Sequence, residues 1–507
     1  MDSKKTIDKP FTDHDEFAGG NALALLTTPV KYDNGELRDI LRSPYVFGAA
    51  LLASFGGFSF GYVMSQFRSQ YPETHPDNPR YGFHVGFMTA MLELGAFVGC
   101  LFLPSIADRM SRKWGLTVAT VFFVVGAVIQ TAALNYNSLV AGRFIGGIGV
   151  GTLAMGSPLS IPSDWAFRLP FLLQIFPALV VGCAIHFFPF SPRWLAMKGR
   201  KYDSLSALAK LRQRPSRDEQ VQLEWKGILS EVRFQNEILA REYPSYESKP
   251  WITGLQQWIG LFQPKYIRRT AVALAIPFFQ QFSGINAFVY YAPTFFEALG
   301  QSSDMSFILS GLVNVCQLIG GIPILILLDR IGRRKLAVLG GILVAIPHLV
   351  MAGLMGRFSE DWPSHEAAGW FCVVLIYIYI LSYAISYGPL AWVLPAEVFP
   401  SSKRAKGVGA ATAMIWLSNF IIGVVVPEML LKIGWGTFLF FGIFCVGATV
   451  FSFLFVPETA QKSLEQVAEL FGDNKDVEEL EVQARVAREI WKDPTCTDGL
   501  EGADGGV

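Results

Sequence analysis

The sequence predicts an all-α membrane protein made of two helical bundles, and three observations lead there. Of the 507 residues, 51% are hydrophobic and only 17% are charged, whereas a soluble domain carries about 25% charged residues. The apolar residues gather into runs of roughly 18 to 25, long enough as helices to cross about 30 Å of hydrocarbon. Basic residues recur in alternate loops, the pattern by which a chain fixes its sidedness in a membrane.

Taken in order, residues 1–44 form a polar tail. They hold no apolar core followed by a cleavage site, so the first apolar run is the expected insertion signal. Five runs follow: Tyr45–Tyr62, His84–Ile106, Gly115–Leu134, Ser138–Met155 and Leu169–Phe188. They define a first bundle over 45–188. Residues 189–269 are charged and rich in helix formers, notably Leu205–Leu211 and Glu219–Arg241, and read as a helical linker. Six more runs make a second bundle over 270–456: Thr270–Leu299, Phe307–Leu328, Leu336–Met355, Trp370–Leu394, Val408–Leu431 and Phe438–Val456. A charged tail, 457–507, ends the chain.

One set of loops holds Arg109, Arg112 and Lys113, then Arg330, Arg333, Arg334 and Lys335, then Lys403, Arg404 and Lys406. The opposite loops are nearly free of such residues. The basic loops, the linker and both termini are therefore expected in the cytosol. Asp108-Arg109-Met110-Ser111-Arg112-Lys113 is echoed by Asp329-Arg330-Ile331-Gly332-Arg333-Arg334-Lys335, each after the second span of its half. Two related halves about a central linker are the mark of a transporter built from repeats. The net charge of zero gives no footprint for nucleic acid. The six cysteines lack metal-ligand spacing, so no metal or cofactor is expected.

Several ordered motifs resemble the sugar porter family of the major facilitator superfamily, in particular fungal hexose and monosaccharide transporters. They are Gly142-Arg143-Phe144-Ile145-Gly146-Gly147, Phe190-Ser191-Pro192-Arg193-Trp194, and Gln280-Gln281-Phe282-Ser283-Gly284-Ile285-Asn286 with Tyr290-Tyr291. Asp329 to Arg334, Pro395-Ala396-Glu397-Val398-Phe399-Pro400 with Arg404, and Val456-Pro457-Glu458-Thr459 complete the set. The resemblance covers about residues 45–465. It implies the major facilitator fold, two bundles around a central cavity, and an integral protein of the plasma membrane. It also implies transport of a small sugar, hexose first, by proton symport or facilitated diffusion with alternating access.

The family has twelve spans and this chain shows eleven. The connector 156–168 lies between a run that ends inside and one that must begin outside. Its thirteen residues could stretch about 43–47 Å, but irregular backbone in lipid leaves N–H and C=O groups unpaired. Gly156-Ser157-Pro158-Leu159-Ser160-Ile161-Pro162 cannot form a membrane helix. The expectation is that the fifth helix is missing, as in an exon-skipped isoform or gene-model product. The first span is also shortened. Gly61-Tyr62 runs into Val63, where the family usually has an Asp that partners the Arg matched here by Arg143.

The resemblance carries sugar binding onto Gln280, Gln281, Asn286, Asn314, Trp392 and Asn419. Amides offer donors and acceptors to hydroxyls, and an aromatic face covers the apolar side of the ring; the plainer reading is interhelical hydrogen bonding. Tyr290 and Tyr291 are carried over as an outer gate. Asp108, Arg112, Arg143, Arg333, Glu397, Arg404 and Glu458 are carried over as a cytosolic latch between the halves; topogenic charge is the plainer reading. Glu93, in mid-span, is a functional candidate by position, with pairing to a neighbouring helix favoured over a proton role. His186 and His348 read as structural. The glycines at 146–151 read as close helix packing, since a phosphate loop needs a preceding strand and a Lys. Against transport stands a non-transporting or sugar-sensing protein. A membrane enzyme is weakest, because no nucleophile, base and orienting group cluster in the sequence.

Overall fold

A computed structural model describes residues 73, 78 and 80, nearly all of 81–150, scattered positions from 175 to 184, 185–243, nearly all of 250–471, and 474–492. The predicted first span, most of Leu169–Phe188 and the connector 156–168 lie outside the described residues. Among the described residues every regular element is a helix. Eight helical stretches among them are long and apolar enough to cross a membrane. They match the predicted runs in the second half one for one, and the second and third runs in the first.

The first half contributes α1 (Tyr81–Met110), α2 (Arg112–Thr131) and α3 (Tyr136–Val150). Small residues let these backbones touch. A Cβ on Gly95 of α1 would stand 2.9 Å from the Cα of Gly147 on α3. One on Gly142 would stand 2.9 Å from the backbone nitrogen of Gln130 on α2. Gly147 and its neighbours are thus packing glycines, as expected where no hydrophobic force draws helices together in lipid.

The linker contributes α4 (Pro192–Met197), α5 (Lys201–Arg212), α6 (Glu219–Glu242) and α7 (Pro250–Gly260). The second half follows as α8 (Ile267–Phe282), α9 (Ile285–Ala298), α10 (Ser303–Ile331), α11 (Arg333–Phe358), α12 (Glu366–Ile385), α13 (Tyr387–Val398), α14 (Arg404–Ile433) and α15 (Trp435–Phe455). Two further helices follow, α16 (Leu464–Phe471) and α17 (Asn474–Lys492).

Two predicted spans are each split. The span read as Thr270–Leu299 becomes α8 and α9, broken at Ser283-Gly284, where Gly284 takes a left-handed φ of 93°. The span read as Trp370–Leu394 becomes α12 and α13, broken at Ser386. Such breaks are tolerated at membrane depth only where protein or a cavity satisfies the freed backbone. Here the Tyr379 hydroxyl donates to the Ser283 carbonyl at 2.9 Å. The Gln280 amide donates to the carbonyls of Tyr387 and Gly388, each at 3.1 Å.

Large apolar side chains stand exposed along the spans, among them Ile319, Ile346, Val374, Ile443 and Phe453. On a soluble monomer such a surface would be a liability; it is the surface that a membrane-spanning helix presents to lipid. The buried core of the second half is aromatic, with Phe288, Phe295, Tyr379, Tyr387 and Phe438 nearly sealed from solvent.

The described residues fall into two compact units. The spans, α7 and α16 belong to one, while α4, α5, α6 and α17 belong to the other. In the second unit Val482, Val486 and Ile490 of α17 share a core with Leu205, Leu208, Trp225, Leu229 and Ile238. Around it Arg233 pairs with Glu489 at 2.6 Å, Arg485 bridges Glu489 and Glu237, and Lys226 lies 4.8 Å above the Trp491 ring.

Candidate substrate site

The break between α8 and α9 positions three of the predicted sugar residues. Asn286 Nδ2 donates to Gln281 Oε1 at 2.6 Å, and Gln281 Nε2 donates to Gln280 Oε1 at 3.2 Å. Gln280 then reaches the second break, as described above. The result is a chain of side-chain amides running from one broken helix to the other. Both glutamines are 3% exposed, so each amide must find protein partners or a ligand. Ser283 closes the turn by donating to the Gln280 carbonyl at 2.7 Å.

A second chain joins the halves. Tyr290 on α9 donates to Glu93 Oε1 on α1 at 2.6 Å, and Asn419 Nδ2 on α14 donates to the Tyr290 hydroxyl at 3.1 Å. Glu93 and Asn419 are each 1% exposed. Tyr291 turns the other way and donates to the Gly423 carbonyl on α14 at 2.8 Å. Its backbone leaves the helical region at φ −117° and ψ 21°, where Pro293 removes a donor from the ladder. Glu93 therefore pairs with a neighbouring helix, and that helix belongs to the other half.

The structure does not bring all the carried-over residues together. Trp392 stands 51% exposed on α13, whereas the amides are buried. Asn314 lies on α10, and its side chain is outside the described residues. Arg143 sits well inside α3, where its Nη2 donates to the Thr89 carbonyl at 3.2 Å, one turn from Glu93. That separates it from the other latch residues.

At one end of the second half, the start of α11, Arg333 is the hub. Its guanidinium meets Glu397 at 2.7, 3.1 and 3.2 Å, a forked geometry that an ammonium cannot reproduce. Thr459 donates to the same carboxylate at 2.6 Å. Glu458 accepts from the backbone nitrogens of Arg333 at 2.7 Å and Arg334 at 3.2 Å, placing a negative charge on the N-terminus of α11. This network ties α11, α13 and the end of α15, all in the second half. Arg404 begins α14. The side chains of Asp108 and Arg112 lie outside the described residues.

Sequence reading missed Arg269 and Tyr379. Arg269, 2% exposed, donates to the Val398 carbonyl at 2.9 Å and stacks 4.8 Å from the Phe471 ring. Its signal was a third basic residue after Lys265 and Arg268 at the very edge of an apolar run. Among the described residues no group of His, Cys, Asp and Glu is fit to hold a metal.

The family model described as "Sugar (and other) transporter" matches residues 49–163 and 161–471. The two matched pieces meet inside the connector 156–168. The chain is 25% identical to the high-affinity glucose transporter of Kluyveromyces lactis, over 89% of each. It is 27% identical to the MFS glucose transporter mfs1 of Aspergillus flavus, over 76% of this chain and 81% of that one. With the sugar transport protein MST3 of Oryza sativa it shares 28%, over 83% and 90%. Among solved structures, the proton:xylose symporter XylE bound to 6-bromo-6-deoxy-D-glucose superposes with a TM-score of 0.66 at 23% identity, covering 85% of this chain and 99% of that one. A partially occluded inward-open form of XylE from E. coli gives 0.64 at 22%, over 83% and 100%. The fold is thus that of the major facilitator superfamily.

Proposed function

The chain belongs to the sugar (and other) transporter family, and on that premise we propose that it carries a monosaccharide, hexose first, across a membrane by alternating access. The observation that bears most weight is the amide chain Asn286–Gln281–Gln280 running between two broken helices. Discontinuous helices beside convergent polar groups are where secondary carriers bind their cargo. Amides suit an uncharged polyhydroxyl ligand, because one group can accept from one hydroxyl and donate to the next. The glucose-transporter relatives in yeast and mould support hexose over other sugars.

On this reading Gln280, Gln281, Asn286, Asn314, Trp392 and Asn419 hold the sugar, and Tyr290 and Tyr291 close over it. Asp108, Arg112, Arg333, Glu397, Arg404 and Glu458 act at the inner side, with Arg143 deeper within the first bundle. The protein spans the plasma membrane with both termini in the cytosol, as a first bundle over 45–188 and a second over 270–456. It is a carrier and not an enzyme. Expression in a cell stripped of its own hexose carriers tests this: uptake of labelled glucose, competed by unlabelled hexose, is the expected result. No uptake, with protein present at the surface, would overturn it.

A second reading is favoured by the two-piece family match that meets at 161–163. We infer that one crossing of the first bundle is missing there, so that this chain moves sugar more slowly than a version with the crossing restored. Equal uptake rates per surface molecule for the two would refute the missing crossing.

A further inference from the structure

The chain Glu93–Tyr290–Asn419 has a defect of hydrogen-bond count. Tyr290 spends its one O–H on Glu93 Oε1, so its oxygen must accept from Asn419 Nδ2. That fixes the Asn419 amide orientation and leaves Oδ1 as an acceptor with no donor. Glu93 Oε2 is likewise without a donor. The Asn419 amide also lies within hydrogen-bonding reach of the Glu93 carboxylate, as a donor to it, yet Oε2 is left with no partner in a residue 1% exposed. A sealed carboxylate oxygen without a donor is costly to keep charged. One proton on Oε2 removes that cost and makes the oxygen a donor.

The charged and titratable groups facing Glu93 among the described residues are few. From α3 comes Arg143, whose guanidinium acts on Glu93, Tyr290 and Tyr291. Its Nη2 is committed to the Thr89 carbonyl, and its Nε is unpartnered. From α9 come Tyr290 and Tyr291. From α14 comes neutral Asn419, while Glu428 lies near Gly82, far up α1. From α2 comes no charged side chain near Glu93.

We propose that Glu93 is the proton-binding residue of this carrier and that sugar moves in symport with the proton Glu93 takes up. The step is a single protonation: Oε2 gains H⁺ from the outer side, the carboxylate becomes a neutral acid, and the same proton leaves to the inner side. No other bond is made or broken. Coupling follows from position. The carboxylate bonds the gate tyrosine, which bonds Asn419, so protonation changes the contact between the halves beside the sugar amides.

The proposal rests on the transport reading, and its test separates the two. In carrier-free cells, glucose uptake by the natural chain is expected to rise as the outside is acidified, approaching about tenfold per pH unit while one proton binds per turnover. Glucose addition should alkalinise an unbuffered medium. Glu93→Gln supplies a permanent amide donor in place of the proton. It should retain exchange of labelled against unlabelled glucose while losing both the pH dependence and the alkalinisation. Glu93→Ala, which restores no donor, should lose exchange as well. Sugar uptake by the natural chain that ignores pH, or a Glu93→Gln protein that still alkalinises the medium, would overturn the proposal without touching the transport reading. Infrared difference spectra of the purified protein give a readout that needs no transport. A protonated-carboxyl band that grows on acidification should be missing from Glu93→Gln; the same band in both proteins would also overturn the assignment.

Discussion

Asn286 holds one end of the amide chain, and its Nδ2 is the donor to Gln281 Oε1. Asn286→Ala leaves that oxygen unsatisfied in a sealed site, at about 1–3 kcal/mol, and removes two groups that would meet sugar hydroxyls. Hexose uptake is expected to fall by at least about tenfold, with surface protein unchanged by immunoblot. Arg333 makes a different prediction. Arg333→Lys keeps the charge and loses the fork onto Glu397. A double-mutant cycle over Arg333→Lys and Glu397→Gln, read from thermal unfolding in detergent, should return a coupling of about 1–3 kcal/mol. Additive effects would mean that the pair is topogenic charge and nothing more.

At the level of helices, glycine spacing decides how closely backbones approach. A Cβ at Gly95 would collide with the α3 backbone, whereas Gly311 on α10 has nothing within 4 Å of where its Cβ would be. Gly95→Ala should lower the unfolding temperature in detergent, at a cost of about 1–3 kcal/mol. Gly311→Ala should leave it unchanged or raise it slightly, since alanine is the better helix former. The apolar runs were legible because a bilayer sets their length. The breaks at Ser283-Gly284 and Ser386 were not, because Gly and Ser in a membrane helix serve close packing as readily as chain breaks. The amides Gln280, Gln281 and Asn286 were legible as a set because they fall within seven consecutive residues. The Glu93–Tyr290 contact was not: its partners are 197 residues apart, and nothing local at Glu93 says which helix arrives beside it. The motif resemblance groups Arg143 with the cytosolic charges, although a fourth span that ends inside must open on the other side; seven residues of helix bring Arg143 to the level of Thr89.

Over the whole molecule, the membrane unit and the linker unit are held by opposite means. The first relies on aromatic packing and paired polar groups among spans whose outer faces are apolar. The second has an ordinary water-facing design: apolar stripes on α5, α6 and α17 meet in a core, and ion pairs rim it. Those rim pairs are half-exposed and weak, so salt should hardly disturb this unit. Val486, at 0% exposed, is the sensitive point. Val486→Asp drives a carboxylate into that core, and protease should then cut within α6 faster than in the natural chain; equal rates would show that α17 contributes nothing to protecting it. A ribosome finishes α6 more than two hundred residues before it reaches α17. Throughout that interval Trp225, Leu229 and Ile238 wait with one side uncovered, and only the last stretch of translation can close them. The linker unit therefore closes only after the membrane crossings on either side of it have been translated.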